Sequence, residues 1–416
     1  MKKTLSLILA LAIMLSATVA LAASTEINGT GKRNIKIKEA GLNTDPQEMI
    51  DQHISPTTGR NLDEVEVPAG FVGAAFSLEY RPVMVQVSNA GGGVGESSKG
   101  DPLTAPINAQ YADVVYEACQ ANTQKYGGSL TRFSMIFSDV VPDYVGFVRS
   151  TRLTHVRLRQ EWDCAFCTSG YSEADVLPEW RAMGLKNPAG ARTEDIGLIY
   201  VGDFAKSYSK YVHRLAPATD ANSELFELAN IVQFIIPKDH KAANHTWLFT
   251  DELPEGGDTA KIVDVKFGGV TKTDSRLEYD ETTNTYFRYV PNGDGSYTPF
   301  RTQVLINPHT IKKDGVKMIK ADAKEFGDPI SFTNVIVQGI VMHWRGGERP
   351  DPALVGSGNA DYFMGGKHYT GVWERKSNNS RTVYYDENGE EIELLRGKTL
   401  IILMDYNNKN RSVKYE

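Results

Sequence analysis

The sequence is poor in cysteine and lacks the short motifs that would define a reaction. Only 3 of its 416 residues are cysteine, too few for a disulfide-stapled scaffold. It contains no H-E-x-x-H zinc motif, no G-x-x-x-x-G-K-[ST] phosphate loop and no G-x-S-x-G nucleophile elbow. Because no nucleophile–base set can be recognised, the sequence favours a binding protein over an enzyme. We expect no cofactor and no metal site.

Long apolar runs are missing except for one at the start of the chain. Residues 1–22 have a basic start at Lys2 and Lys3, an apolar middle and an Ala-x-Ala end, which is the arrangement of a secretory signal peptide cleaved after Ala22. An uncleaved membrane anchor is the alternative, since the run approaches spanning length. The sequence thus predicts an exported protein, extracellular or in the cell envelope, which contacts the membrane only if this segment is retained.

An excess of positive charge is absent as well. The formal net charge is -7 and becomes more negative once Lys2 and Lys3 are removed. Nucleic-acid-binding proteins usually carry a basic surface, so this balance argues against nucleic acid as the main partner. It leaves room for a local basic pocket. The oligomeric state is not predicted.

The three cysteines are Cys119, Cys164 and Cys167, the last two forming a C-x-x-C. The residues around this pair are typical of a short buried strand, on which side chains three positions apart point to opposite faces. Buried thiols are therefore the favoured interpretation. A disulfide from Cys119 to one of the other two and a redox-active pair remain as alternatives.

The pattern of apolar residues changes along the chain and predicts two domains. A polar leader with little regular structure is expected at 23–75, followed by an α/β domain at 76–240 in which strands and helices mix. A charged stretch rich in proline and glycine, 241–258, is the predicted linker. From 259 to 416 short alternating strands and turns predict a mostly antiparallel β domain. The fold class is therefore α+β or α/β, followed by β.

Several individual elements are predicted from periodicity and turn signals. They are a strand at 81–89, a strand or helix at 112–121, a short helix at 172–180 interrupted by Pro178, a strand at 197–201, a helix from Glu224 to Asn230 capped by Asp220 or Asn222, and a hairpin of 276–279 with 286–290.

The sharpest local chemistry lies where a predicted strand runs into a predicted helix. The helix extends from Arg152 to Trp162, with Ser150 and Thr151 as its N-cap pair. The N-terminus of a helix attracts anions, and neighbouring guanidinium groups strengthen that attraction. The sequence thus predicts an anion site. The candidate ligand-binding residues are Asn89, Glu117, Arg132, Arg149, Ser150 and Arg152.

An internal role for the same arginines is the competing interpretation, because buried arginines usually have acidic partners. The candidate partners are Asp113, Glu117, Glu161 and Asp163.

The order of several short motifs resembles the YerB-type family of bacterial envelope lipoproteins. In the first half these motifs are Arg81-Pro82, Ala112–Glu117, Thr131–Phe133 and Val145–Arg152, and in the second half Asn334–Val337, Gly356–Phe363, Gly371–Arg375 and Tyr385–Gly389. The resemblance implies a two-domain envelope protein and no established reaction. The family's lipid-bearing cysteine is absent here. An Arg-Pro motif that similar proteins carry after Asn89 is replaced by a glycine-rich loop.

Three functions remain open at this point. The first is binding of an anionic envelope ligand or of a protein partner through the arginine-lined helix N-terminus. The second is a cell-wall enzyme acting on a phosphate-linked substrate, with Glu117, His155 or Asp163 in a catalytic role. The third is an adhesion or docking module that uses the β domain, with Trp344 and Trp373 at its surface.

Overall fold

The computed structural model describes most of the chain. The described ranges are 24–41, 45–89, 105–123, 128–171, 173–182, 198–201, 211–217, 224–234, 236, 246–268, 274–313, 315–346 and 349–416. The predicted signal peptide, the glycine-rich loop after Asn89 and the predicted caps Asp220 and Asn222 lie outside these ranges.

Strands dominate the structure, and its helices are short. The helices are α1 (Pro46–Asp51), α2 (Ala74–Ser77), α3 (Leu153–Trp162), α4 (Glu173–Ala182) and α5 (Leu228–Phe234), with 3-10 turns at Leu62–Glu64 and Ala109–Tyr111. Within the described ranges, no helix combines the length and apolar character needed to cross a membrane.

The strands are numbered in chain order. They are β1 (Thr25–Glu26), β2 (Val83–Ser88), β3 (Val114–Thr123), β4 (Gly128–Phe137), β5 (Tyr144–Gly146), β6 (Ala165–Ser169), β7 (Leu198–Val201), β8 (Val212–Arg214), β9 (Glu224–Glu227), β10 (Leu248–Thr250), β11 (Asp258–Thr259), β12 (Ile262–Lys266), β13 (Ser275–Asp280), β14 (Thr285–Pro291), β15 (Tyr297–Pro299), β16 (Arg301–Ile306), β17 (His309–Lys313), β18 (Val316–Lys320), β19 (Ala323–Pro329), β20 (Ser331–Phe332), β21 (Asn334–Gly339), β22 (Met342–Arg345), β23 (Arg349–Pro352), β24 (Gly356–Met364), β25 (Lys367–Arg375), β26 (Val383–Tyr385), β27 (Glu393–Leu395), β28 (Thr399–Met404) and β29 (Ser412–Tyr415).

One large mixed sheet runs through both halves of the chain. Its strand order is β11-β25-β24-β21-β28-β3-β4-β2-β6-β7. The joint between the halves is the parallel pairing of β28 with β3, in which Thr399 lies opposite Val114 and Leu403 opposite Ala118. The whole of β28 is buried, and such a continuous apolar run is typical of a strand covered on both faces. The division at 241–258 stays a prediction, and the sheet continues across it.

A second, antiparallel sheet packs against one face of the large sheet. Its order is β1-β29-β12-β13-β14-β15, and it contains the predicted hairpin, with Arg276 opposite Tyr289. Side chains from both sheets, such as Phe133 and Tyr286, share one core. Helices α3 and α4 cover the other face, where Trp162 and Trp180 are buried. These layers confirm the predicted fold class, an α/β first half followed by mostly antiparallel β.

Two predicted helical segments differ from the structure. Glu224–Glu227 forms strand β9, and helix α5 begins only at Leu228. Because β9 pairs with β5, with Phe226 opposite Val145, tertiary pairing overrides the local helix preference. Pro178 lies inside α4 without interrupting it.

The described parts of the polar leader are folded onto the rest of the protein, which the sequence did not predict, and β1 pairs with β29 of the second sheet. Residues 55–58 of the leader are held by the buried carboxyl group of Asp139, which follows β4. Asp139 accepts hydrogen bonds from the hydroxyls of Ser55 at 2.5 Å and Thr58 at 2.6 Å. Asp113 accepts from the backbone N–H of Asp139 at 3.0 Å. Burial, reinforced by the charge of Asp139, raises the pKa of Asp113 to about 8.

The cysteines are buried thiols, as favoured from the sequence. Cys119, Cys164 and Cys167 are inaccessible to solvent, and no disulfide joins them. Burial raises the pKa of the Cys164 thiol to about 12, which disfavours the thiolate that redox chemistry requires.

A buried ion pair links the two sheets. Glu117 on β3 and Arg288 on β14 are 0% and 1% exposed, with Oε1 and Nη2 3.1 Å apart. The hydroxyl of Thr131 donates a second hydrogen bond to the same oxygen at 2.9 Å. Burial raises the pKa of Glu117, and the charge of Arg288 opposes that shift. The guanidinium also lies over the Phe300 ring, 4.5 Å from its centroid.

Replacing one member of the Glu117–Arg288 pair should lower the free energy of unfolding by far more than half of the loss caused by replacing both. Arg288→Met leaves a buried carboxyl without its counter-charge, and we expect a loss of about 3–5 kcal/mol in the free energy of unfolding. Glu117→Gln likewise leaves the buried guanidinium of Arg288 without its counter-charge. The double variant should recover a large part of the loss. Urea unfolding of the four proteins measures the coupling, and strictly additive losses would contradict a direct interaction.

Candidate functional site

The candidate site lies at one edge of the large sheet, where parallel strands end together. Strands β2 and β6 run parallel, as do β6 and β7, so their carboxyl ends share this edge. Strand β4 is antiparallel to β2 and brings Arg132 opposite Ser88 at the same edge. In open α/β sheets the carboxyl edge is where ligands bind.

The segment that leads into α3 is fixed across the ends of β2 and β6 by backbone hydrogen bonds. The N–H of Arg149 donates to Gln86 at 2.8 Å, and its carbonyl accepts from Ser169 at 3.2 Å. Gly170 has φ +69°, and a Cβ there would stand 2.9 Å from the Ser150 hydroxyl. Glycine is therefore required for this close approach.

Helix α3 begins one residue later than predicted, and its N-cap is Arg152. Ser150 and Thr151 do not cap it, contrary to the sequence prediction. The Thr151 hydroxyl is engaged with that of Thr168 on β6, 2.6 Å away. The cap is closed by His155, whose Nδ1 accepts from the Arg152 N–H at 3.0 Å. A side chain at the third helical position thus satisfies the N-cap donor, as in one half of a capping box.

Three arginines surround this helix N-terminus. Arg132 is 8% exposed and donates through Nη1 to the carbonyl of Ser150. Arg149 and Arg152 are half-buried, and Arg152 donates through Nη1 to the Thr151 carbonyl at 2.8 Å. The structure therefore brings four of the six predicted residues together, at a place where the helix dipole adds further positive potential.

The remaining two predicted residues, Asn89 and Glu117, lie on the opposite face of the sheet. Asn89 donates through Nδ2 to Glu117 at 2.8 Å, and both face the second sheet and Arg288. Side chains of neighbouring positions on a strand alternate between faces, so these two residues lie apart from Arg132, and their role in ligand binding stays a prediction. The internal partner of Glu117 is Arg288 and none of the three predicted arginines.

Two residues that the sequence did not single out as ligand-binding stand at the same edge. Glu224, 2% exposed, accepts through its backbone carbonyl from the N–H of Val148 at 3.1 Å. Burial raises the pKa of its carboxyl, opposed by a hydrogen bond from Ser169 and by the charges of Arg214 and Arg149. No sequence spacing connects Glu224 with Ser169, because they meet only through the pairing of distant strands.

The other functional candidates from the sequence fall into structural positions. Asp163 ends helix α3 with φ +43° and forms an ion pair with Arg159 at 3.3 Å. Trp373 is 2% exposed and donates to the carbonyl of Gly339 at 2.8 Å, so it belongs to the core. Trp344 is partly buried against the same core. These contacts do not favour the aromatic docking surface.

The fold and the site together define a class: a two-part protein in which an α/β half with a basic carboxyl edge shares its sheet with an antiparallel β half. Two family models match the chain. Residues 73–200 match the N-terminal domain of a protein of unknown function (DUF3048), and residues 263–401 match the C-terminal domain. The chain therefore belongs to the DUF3048 family, which confirms the YerB-type resemblance.

A solved structure agrees with this assignment. The crystal structure of the YerB protein from Bacillus subtilis matches with a TM-score of 0.56 and 20% sequence identity, covering 86% of this chain and 99% of that one. At this identity the similarity establishes the fold alone. No curated protein matches the chain.

The electrostatics of the site predict that His155 stays neutral. It is buried, and both burial and the charges of Arg132 and Arg152 hold its pKa well below the usual value of 6.5. Since Nδ1 accepts a hydrogen bond, the proton must sit on Nε2. NMR of labelled histidine, assigned with His155→Gln, should therefore show one ring that keeps this tautomer from pH 8 to about 5.5. Titration of that ring near pH 6.5 would contradict the charge arrangement.

Proposed function

We propose that this protein binds an anionic group, a phosphate or a carboxylate, at the carboxyl edge of its large sheet. The observation that carries the proposal is that Arg132 and Arg152 donate to the carbonyls of Ser150 and Thr151 at the start of α3, with Arg149 on the segment just before them. The three residues come from two separate elements, β4 and the segment before the helix. A charged ligand would meet them together with the first N–H groups of a helix, which have no partner within the helix.

The charge of the rest of the chain supports a specific site over general attraction to polyanions. The protein is acidic overall, with a formal net charge of -7, so its long-range field repels anions. Many buried cations are neutralised within the core, as Arg375 is by Glu161 at 3.1 Å and Arg381 by Glu391 at 2.6 Å. The positive potential around α3 is thus local, and bidentate guanidinium contacts would give it selectivity.

We place this activity outside the cytoplasm, on the strength of the predicted signal peptide at 1–22. The ligand would then be an anionic component of the envelope or an acidic segment of a protein partner. Nucleic acid is not the proposed partner. A binding role is favoured over catalysis because Glu117 and His155, two of the candidate catalytic groups, are wholly buried and Asp163 caps a helix.

Removal of the half-buried arginines should weaken anion binding without unfolding the protein. For Arg149→Gln and Arg152→Gln we expect an affinity for phosphate or pyrophosphate at least about tenfold lower, since a hydrogen bond to a charged group contributes about 1.5–3 kcal/mol. Isothermal titration calorimetry measures the affinity. Ligand at 100 times its dissociation constant should also stabilise the wild type by about 2.7 kcal/mol in thermal unfolding.

Arg181→Gln is the matched control, because Arg181 lies exposed at the end of α4 and its loss changes the net charge equally. Its affinity should equal that of the wild type. Equal weakening in all three variants would show a non-specific charge effect. Unchanged affinity in the Arg149 and Arg152 variants would contradict the proposed site.

A further inference from the structure

Glu224 has an unsatisfied hydrogen-bonding atom at the proposed site. Its side chain is 2% exposed, and its Oε2 has no hydrogen-bond partner among the residues that the structure describes. Leaving a buried acceptor unsatisfied destabilises a protein, and nearly all buried polar groups in native proteins have a partner. An orphaned oxygen at the edge where a ligand is proposed therefore points to a contact that the ligand completes.

Two other buried carboxylates in the described part of the chain have a structural role, in which each forms an ion pair with a buried arginine. Glu161 pairs with Arg375 at 3.1 Å, and Glu391 with Arg381 at 2.6 Å. Glu224 forms no such ion pair with a described residue, although the charges of Arg149 and Arg214 reach it. Its carboxyl thus lies near the arginines at this edge of the sheet without forming an ion pair with a described residue.

The position of Glu224 joins it to the arginine cluster through direct contacts. Its backbone carbonyl accepts from Val148, the residue before Arg149. Its carboxyl receives a hydrogen bond from Ser169, which lies at the carboxyl end of β6. The N–H of Ser169 in turn donates to the Arg149 carbonyl at 3.2 Å. An anion held by Arg149 would therefore place its neighbouring atoms next to Glu224.

We propose that Glu224 binds a hydroxyl group of the same ligand, so that the ligand class is a hydroxylated phosphate ester and not a bare anion. This inference rests on the anion site proposed above. A hydroxyl is the complementary group because it can both donate and accept. An ammonium group would be repelled by the charges of Arg149 and Arg214, which reach this carboxyl, whereas a neutral hydroxyl would not.

The test compares two ligands of the same charge on the intact mature protein. Glycerol 3-phosphate carries two hydroxyls that propyl phosphate lacks. Calorimetric titration of the wild type should give about tenfold tighter binding of glycerol 3-phosphate, the expected effect of one hydrogen bond to a charged or buried group. This comparison needs no substitution and is independent of any effect on folding.

Two variants assign the preference to the side chain. Glu224→Leu removes the hydrogen bond and should bind both compounds equally, while Glu224→Gln retains a neutral hydrogen bond and part of the preference. Glu48→Gln, an exposed position on α1, should behave as the wild type.

The outcomes separate the two proposals. Equal binding of the two esters by the wild type would overturn the role of Glu224 and leave the anion site intact. If Glu224→Leu still prefers glycerol 3-phosphate over propyl phosphate, the role of Glu224 is likewise overturned and the anion site is left intact. Binding of neither ester would overturn the anion site and this inference with it.

Discussion

The pairing of β28 with β3 is the constraint on which the rest of the structure depends. Five residues of β28 lie opposite five of β3 in a parallel ladder, and this contact turns two halves of the chain into one sheet. Because β3 is a central strand, its other edge fixes β4, and β4 fixes β2 and then β6. The carboxyl edge that carries the arginines is therefore positioned by residues near the far end of the sequence.

Charged residues occupy two different settings in this fold: a buried ion pair between the sheets and a group of arginines around α3. On the face of the sheet that meets the second sheet, Glu117 and Arg288 form a buried ion pair. Pairs of this kind add little net stability but are costly to break, so they enforce one way of stacking the sheets. Around α3, Arg132 and Arg152 donate to the backbone carbonyls of Ser150 and Thr151.

Local signals were sufficient for most of the fold. The strand at β2, the hairpin of β13 with β14 and the start of α3 to within one residue follow from apolar periodicity and turn chemistry. Where the outcome depended on pairing between distant segments, the sequence failed. Glu224 sits in a strand because β5 and β8 flank β9, and no local pattern contains that information.

The site shows the same limit. Arg149 and Arg152 could be predicted because they border one helix start, whereas the separation of Glu117 from Arg132 depends on the register of β3 against β4. A shift of one residue in that register would move each side chain to the opposite face. The sequence did not identify Glu224 and Ser169 as site residues, because strands far apart in sequence bring them together.

The most direct measurement is the location of a bound oxyanion in crystals. Crystals of the protein soaked in tungstate, a phosphate analogue with strong anomalous scattering, would reveal the position without any assumption about the natural ligand. The account predicts a dominant anomalous peak within hydrogen-bonding distance of the Arg149 and Arg152 guanidinium groups, at the N-terminus of α3. Peaks confined to surface lysines, with none at this edge, would contradict it.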